Sequence, residues 1–250
     1  MKSHSAVVII PTFNEAQNLE NLLPQLLALE LDILIVDDSS SDGTVAVAER
    51  IDSGAGRISI LSRPSKMGLG SAYIQGFRRS LGEGYESLIQ MDADGSHRVT
   101  DLKKMMAVEA NEPSRDLFIG ARWVPGGHVE NWSKHREILS RGANRYSKFV
   151  LGTQVNDMTA GFRIYRAHLL RRMNLDGISS QGYSFQIEMT REALRVGAQI
   201  REVPITFIER TIGKSKMSSE IVLEAMVKVT QWGISRVVSR LRERFKRQAV

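Results

Sequence analysis

Short apolar runs and amphipathic stretches alternate along the first 120 residues. AVVII (6–10), DILIV (32–36), RISIL (57–61) and ESLIQM (86–91) are β-branched or apolar runs of strand length. Stretches of helical character separate them at Glu15–Leu29, Thr44–Ile51 and Gly70–Leu81, and DLFIG (116–120) continues the series. This alternation predicts an α/β domain on a parallel sheet with helices covering both faces. The regularity breaks through GARWVPGGHVENW (120–132). Helical signals return at His135–Leu151 and Ser184–Val196, and a last strand is predicted within GAQIREVPITFIER (197–210). A loop, TIGKSKMSS, then leads into one long helical stretch, Glu220–Lys246, with apolar residues at Ile221, Ala225, Val229, Trp232, Val237 and Leu241. With no internal repeat and no Pro-, Gly- or Ser-rich linker, one domain with a C-terminal helix is expected.

Composition changes this picture little, but it removes several chemistries. The 250 residues are 42% hydrophobic and 25% charged, as in globular chains. The absence of cysteine excludes disulfides, thiolate metal sites and cysteine nucleophiles. The longest apolar runs fall well short of the ~18–20 residues of a membrane span. The N-terminus, MKSHSAVVIIPT, lacks the apolar core and small-residue cleavage site of a secretory signal, so a cytoplasmic location is expected. Net charge is +6, and most of it sits at one end. Arg236, Arg240, Arg242, Arg244, Lys246 and Arg247 face only Glu243 in that stretch. The basic balance therefore describes a tail, not a nucleic-acid-binding face on the body.

The polar clusters fall where a parallel sheet binds ligands, beyond the carboxyl ends of its strands. PTFNE (11–15) follows the first strand, VDDSSSDGT (36–44) the second and MDADGSH (91–97) the fourth. Any one of them also reads as turn and capping chemistry. Three on one sheet edge read as a site. Asp92 and Asp94 are the sharpest feature: i and i+2 of an extended segment point to one side, making a chelating pair for Mg²⁺ or Mn²⁺ and its phosphate oxygens. Asp37 and Asp38 point to opposite sides. Asp38 reads as a contact to a nucleotide base or ribose, Asp37 equally as a turn support.

These clusters, with IGAR (119–122), NDMTAGFRIYR (156–166) and ERTIGKSK (209–216), occur in the order seen in family-2 glycosyltransferases. Within that family the chain resembles the polyprenyl-phosphate mannose synthases, dolichyl-phosphate mannose synthase in eukaryotes, from about residue 6 to residue 217. The resemblance implies a glycosyltransferase-A type fold, a Rossmann-like, mostly parallel sheet in a single domain. It implies a catalytic region 1–217, followed by a basic C-terminal helix, 218–250, that contacts a membrane surface or a partner. Pro11, Phe13, Glu15, Val36 and Asp38 match positions contacting the nucleotide of GDP-mannose. Asp92, Ala93 and Asp94 match the metal–diphosphate motif. Ser96 stands where the family often has Gln, and would serve the metal through its hydroxyl or a water. Arg122, Arg210 and Lys216 match contacts to the donor's diphosphate and sugar, with Gly213 letting Lys216 close over the donor. Arg136 and Ser140, spaced i and i+4, match positions near the acceptor phosphate.

The implied reaction is metal-dependent, inverting transfer of mannose from GDP-mannose to a polyprenyl monophosphate. Cations neutralise the charge that grows on the leaving nucleoside diphosphate. A phosphate monoester already carries about −1.5 to −2 charge and needs no general base, whereas a sugar hydroxyl needs one. Asp157 reads either as that base or as a loop-ordering residue, and His97 as a packed histidine beside the metal loop. The lipid acceptor gives the basic tail, with Trp232, Val237, Val238 and Leu241, a peripheral place on the cytoplasmic face of a membrane, alone or beside a separate membrane-anchoring subunit. The competing readings are transfer from UDP-glucose, transfer to a sugar hydroxyl, and a non-catalytic nucleotide-binding protein; nucleic acid is not an expected partner.

Overall fold

The structure, a computed structural model, describes residues 5–180, 182–209 and 225–235. The chain begins with β1 (Ala6–Thr12), α1 (Ala16–Leu27), β2 (Asp32–Asp37), α2 (Thr44–Asp52), β3 (Ile58–Ser62), α3 (Leu69–Gly82) and β4 (Ser87–Gln90). It continues through α4 (Val99–Asn111), β5 (Leu117–Ala121), β6 (His128–Glu130), α5 (Lys134–Leu151), β7 (Arg163–Arg166), α6 (Ala167–Arg172), α7 (Gly182–Arg195), β8 (Ile200–Pro204) and β9 (Thr206–Ile208). A helical segment, 225–235, packs back on α5.

Seven strands form one sheet in the order β3-β2-β1-β4-β7-β5-β8, while β6 and β9 pair as a separate two-stranded sheet. The neighbours are parallel except β7, which runs antiparallel between β4 and β5. The alternating strand faces account for two cores. Val7, Ile9, Leu34, Val36, Leu88 and Tyr165 meet α3, α6 and α7 on one side. Val8, Ile10, Ile33, Ile35, Ile89 and Ile164 meet α1, α2 and α4 on the other. β2 is buried along its whole length, as a central strand covered on both faces must be. Gly76 lets α3 sit hard on β1, because a Cβ there would lie 2.5 Å from Ile9 Cγ2.

The structure departs from the expected elements in several places, β6 and α6 among them. β7 lies inside a motif that showed no strand pattern, and α4 was not predicted. The single strand expected over 197–210 is two: proline has no N–H to extend a ladder, and β9 leaves the main sheet just after Pro204 to join β6. Of the helix expected over Glu220–Lys246, residues 225–235 are helical and the rest lie outside the described residues. There Val229 is buried, Tyr146 Oη and Thr230 Oγ1 are 2.6 Å apart, and a Cβ on Gly233 would strike Val150 Cγ1 at 2.3 Å.

The sheet reverses its winding between β1 and β4, since β2 and β3 extend to one side and the later strands to the other. Such a switch point opens a crevice at the carboxyl ends of the strands. The loops after β1, β2 and β4 all emerge there.

Candidate active site

On the β1–β2 side, short polar side chains lace the loops together. Asp37 accepts from Thr12 Oγ1 (2.7 Å), Ser40 N (2.9 Å) and Ser40 Oγ (2.6 Å), so it is the turn support. Asn14 sits at φ 59° and ties the two loops, donating its N–H to Ser40 Oγ (2.9 Å) and accepting from Ser41 N (2.9 Å). Glu15 N donates to Thr44 Oγ1 (2.9 Å), and the Glu15 carboxylate accepts from Asn18 Nδ2 (2.6 Å). Asp42 accepts from Ala16 N (3.0 Å) and from Thr44; burial raises its carboxyl pKa, but these hydrogen bonds outweigh it and leave the group below its ordinary range.

Asp38 is buried and ion-paired with Arg63, and it accepts the N–H groups of Met67 (3.1 Å) and Gly68 (3.3 Å). It thereby ties β2 to the start of α3. Lys66 Nζ lies 4.1 Å from the centroid of the half-buried Phe13 ring. Val36 is fully buried, its side chain in the core beneath the loops, and Pro11 is its ladder partner.

The Asp92–His97 loop lies beside this floor. It is bent rather than extended, turning at Gly95 with φ 75°. Tyr73 donates its hydroxyl to Asp92 Oδ1 (2.7 Å), and Asp94 Oδ1 accepts Ser96 N (3.1 Å). Burial, with Asp92 and Asp94 close by, pushes the Tyr73 phenol well above its ordinary pKa, so it remains a donor. His97 is buried, stacked on Phe162 at 4.6 Å with an interplanar angle of 12°. Burial lowers its pKa more than Asp92 and Asp94 raise it. The neutral ring accepts Asp92 N at Nδ1 (3.2 Å), which leaves its proton on Nε2. A Cβ at Gly161 would come within 3.6 Å of Asp92 Oδ2, 3.5 Å of Gln186 Nε2 and 3.8 Å of His97 Cε1. The glycine keeps this floor open.

The third side is built from cations and rings. Arg122, only 4% exposed, grips Asp157 through Nε (2.8 Å) and Nη2 (2.7 Å), and Nη2 also donates to Thr159 Oγ1 (2.8 Å). Asp157 accepts Arg122 N as well (2.8 Å). Trp123, Trp132 and Phe207 surround the guanidinium with centroids 5.4–5.6 Å away. Arg136 lies 3.9 Å over Trp132 and pairs with Glu209. Ser140 is buried one turn further along α5, where Asn144 holds Met158 N (2.8 Å) and Thr159 N (3.3 Å).

Several of these side chains carry no signal in a single sequence. Tyr73 reads as an ordinary core position on α3, Arg63 as a solvated cation. The paired tryptophans of the irregular stretch were the one visible hint of the cation–ring wall. Arg210 and Lys216 lie outside the described residues.

Among the described residues, no three His, Cys, Asp or Glu side chains converge as a ready-made metal cluster. The loop nevertheless suits a hard cation. Its donors are oxygens, and Ser96 Oγ is a buried hydroxyl without a hydrogen-bond partner. Asp92, Asp94 and Ser96 are the residues that would hold such an ion, with phosphate oxygens completing its shell.

A mostly parallel sheet with an acidic loop at its switch point, facing the buried Arg122 across the crevice, is the architecture of an A-type glycosyltransferase. Residues 7–173 match glycosyl transferase family 2, and the chain belongs to that family. It is a glycosyltransferase. It is 45% identical over 239 residues to the polyprenol monophosphomannose synthase of Mycolicibacterium smegmatis, covering 94% of this chain and 89% of that one. It is 46% identical over 231 residues to the undecaprenyl-phosphate mannosyltransferase of Micrococcus luteus, covering 92% and 94%. The fold is shared with glucosyl-3-phosphoglycerate synthase from Mycobacterium tuberculosis. Its complex with Mn²⁺, UDP-glucose and phosphoglyceric acid gives a TM-score of 0.62 at 17% identity, over 92% of this chain and 80% of that one.

Proposed function

We propose that this enzyme transfers mannose from GDP-mannose to a polyprenyl monophosphate with inversion, giving polyprenyl-phosphate β-mannose and GDP. The observation that carries the reading is the pair of polyprenyl-phosphate mannosyltransferases at 45% and 46% identity across nearly the whole chain. The state of Asp157 supports it. Both carboxylate oxygens are taken by Arg122, which leaves a poor general base for a hydroxyl acceptor and none that a phosphate would need.

In this reading Pro11, Phe13, Glu15 and Asp38 frame the nucleotide, with Val36 supporting them from below. Asp92, Asp94 and Ser96 hold Mg²⁺ or Mn²⁺ against the diphosphate. The ion, when bound, neutralises charge on the leaving group. Arg122, its orientation fixed by Asp157 and Thr159, contacts the donor's diphosphate and sugar, and Arg210 and Lys216 close over the donor. Arg136 and Ser140 seat the acceptor phosphate. One phosphate oxygen attacks the anomeric carbon, the bond from that carbon to the GDP oxygen breaks, and its electron pair leaves with GDP.

Residues 1–217 form the catalytic unit, and the basic C-terminal segment 218–250 meets an anionic membrane surface or a membrane-anchored partner. Among the described residues no helix is long and apolar enough to cross a membrane. Exposed Ile138 and Phe149 on α5, with Val227 and Ile234 on segment 225–235, supply apolar contacts for a peripheral surface. Trp232 is better placed in the protein than in lipid, because it packs against the core.

The test is transfer of radiolabelled mannose from GDP-mannose into organic-extractable lipid, with a short polyprenyl phosphate, Mg²⁺ or Mn²⁺, and UDP-glucose in parallel. Metal-dependent, mild-acid-labile lipid label from GDP-mannose is expected. Label from UDP-glucose alone overturns the donor, and label only on hydroxyl acceptors overturns the acceptor.

A further inference from the structure

A cavity of about 700 Å³ lies at the opposite end of the sheet from the motif loops. Arg115, just before β5, and Gln199, just before β8, line its floor, at the amino ends of those strands. The volume falls within the range of small-molecule sites. Leu151, Leu194, Ile200 and Trp232 make apolar walls, from the end of α5, α7, β8 and segment 225–235.

The cations around it are near carboxylates, Glu192 acting on both Arg195 and Arg191, but not every donor is matched. Arg195 is held by Glu192 (2.7 Å), and Arg115 lies near Glu112 (3.6 Å). Glu202 spends its carboxylate on Asn156 N (2.9 Å), Asn156 Nδ2 (2.8 Å) and Asp157 N (2.8 Å). Arg191 differs. Its guanidinium sits 5.1 Å over the Trp232 ring, and its Nε is buried with no hydrogen-bond partner. A buried donor left unmade is unfavourable, and a guanidinium over an aromatic wall is suited to an anion. The apolar walls set what the anion must carry.

We propose that this cavity binds an anionic amphiphile, one phosphate or carboxylate group on a hydrocarbon chain. The head meets Arg191 and the chain lies along Leu151, Leu194, Ile200 and Trp232. The site is separate from the crevice and does not depend on the proposed transfer reaction.

Calorimetric titration of the full chain with decyl phosphate, decanoate, decanol and inorganic phosphate tests it. Both decyl anions are expected to saturate one site that is weakened about tenfold or more by Arg191→Gln. Leu194→Glu, at a partly exposed position that keeps the fold, places a like charge in the cavity and is expected to weaken both anions similarly. Arg171→Gln, an exposed cation on α6, is expected to change nothing. Only the binding that Arg191→Gln removes belongs to this cavity. The proposal is overturned if neither decyl anion shows such binding, if decanol binds as tightly as the anions, or if inorganic phosphate matches decyl phosphate. Sedimentation with phosphatidylcholine vesicles, with and without phosphatidic acid, separates the sources. Arg191-dependent binding to the acidic vesicles identifies a membrane lipid, and its absence beside calorimetric binding identifies a soluble amphiphile.

Discussion

The two sides of the crevice are built on different principles. The floor around β1, β2 and β4 is a weave of short side chains, Asp37, Asn14, Ser40 and Thr44, each bonded to backbone or to a neighbour within the first hundred residues. The opposite wall is assembled from long side chains far apart in sequence: Arg122 with Asp157, Arg136 with Glu209, and three rings around one guanidinium. Apart from the buried Asp38–Arg63 pair behind the β2 loop, the floor holds its shape by many small, redundant bonds. The wall depends on one buried ion pair, and losing either partner leaves a charge without water.

The sharpest way to break this comparison is Asp157→Ala. It leaves the Arg122 guanidinium buried without its carboxylate partner, and we expect a loss of about 3–5 kcal/mol in thermal or denaturant unfolding. The double variant Arg122→Met/Asp157→Leu should recover most of that stability. A loss below about 1 kcal/mol for the single variant would class the pair with solvent-screened ones. Next come Asp92→Asn and Asp94→Asn, which should reduce transfer roughly 10²–10³-fold while the melting curve stays near wild type, because the weave around the loop remains. A large melting shift would make the loop structural.

Tyr73→Phe is a finer probe. It removes the hydroxyl that fixes Asp92 Oδ1 and should weaken Mn²⁺ binding, read by electron paramagnetic resonance, about 10–100-fold with the fold intact. Equal affinity would detach Tyr73 from the metal loop. The smallest effect is expected at Asp101, which anchors β9 through Thr206 N (3.1 Å) and carries Arg98 and Lys104. Burial raises its carboxyl pKa, but these partners outweigh burial and leave it below the ordinary range. The contribution is therefore present above the ordinary carboxyl pKa and is lost as pH falls through the lowered one. Both cations are partly solvated, so Asp101→Asn should cost about 1 kcal/mol near neutral pH, with the two stability curves converging on acidification. A constant difference down to low pH would show that charge is not the cause.

What the sequence makes legible follows the same division. The strand–turn–helix punctuation around PTFNE, VDDSSSDGT and MDADGSH is local, so its place at the sheet edge follows from strand order alone. β7 was hidden because its four residues include Arg163, fully buried and satisfied by Ala160 O (2.8 Å), Met158 O (3.0 Å) and Tyr165 Oη (3.1 Å). A buried arginine reads as surface until its acceptors are seen. Arg122 was visible as a cation, but nothing in its neighbours announces that Asp157, thirty-five positions away, holds it. The outward split after Pro204 had a local cue in the proline. Its destination, a pairing with β6, had none.

The antiparallel placement of β7 also has a consequence in time. β5 pairs only with β7 and β8, so when Leu117–Ala121 leaves the ribosome no strand made before it can receive it. The first four strands can assemble early, but β5 must wait for Arg163–Arg166 to be inserted between it and β4. The intervening chain carries Arg122, Trp132, Arg136 and Asp157. Such non-local closure is slow compared with local pairing, so synthesis yields the floor of the crevice first and completes the opposing wall late, once β7 and then β9 have been made.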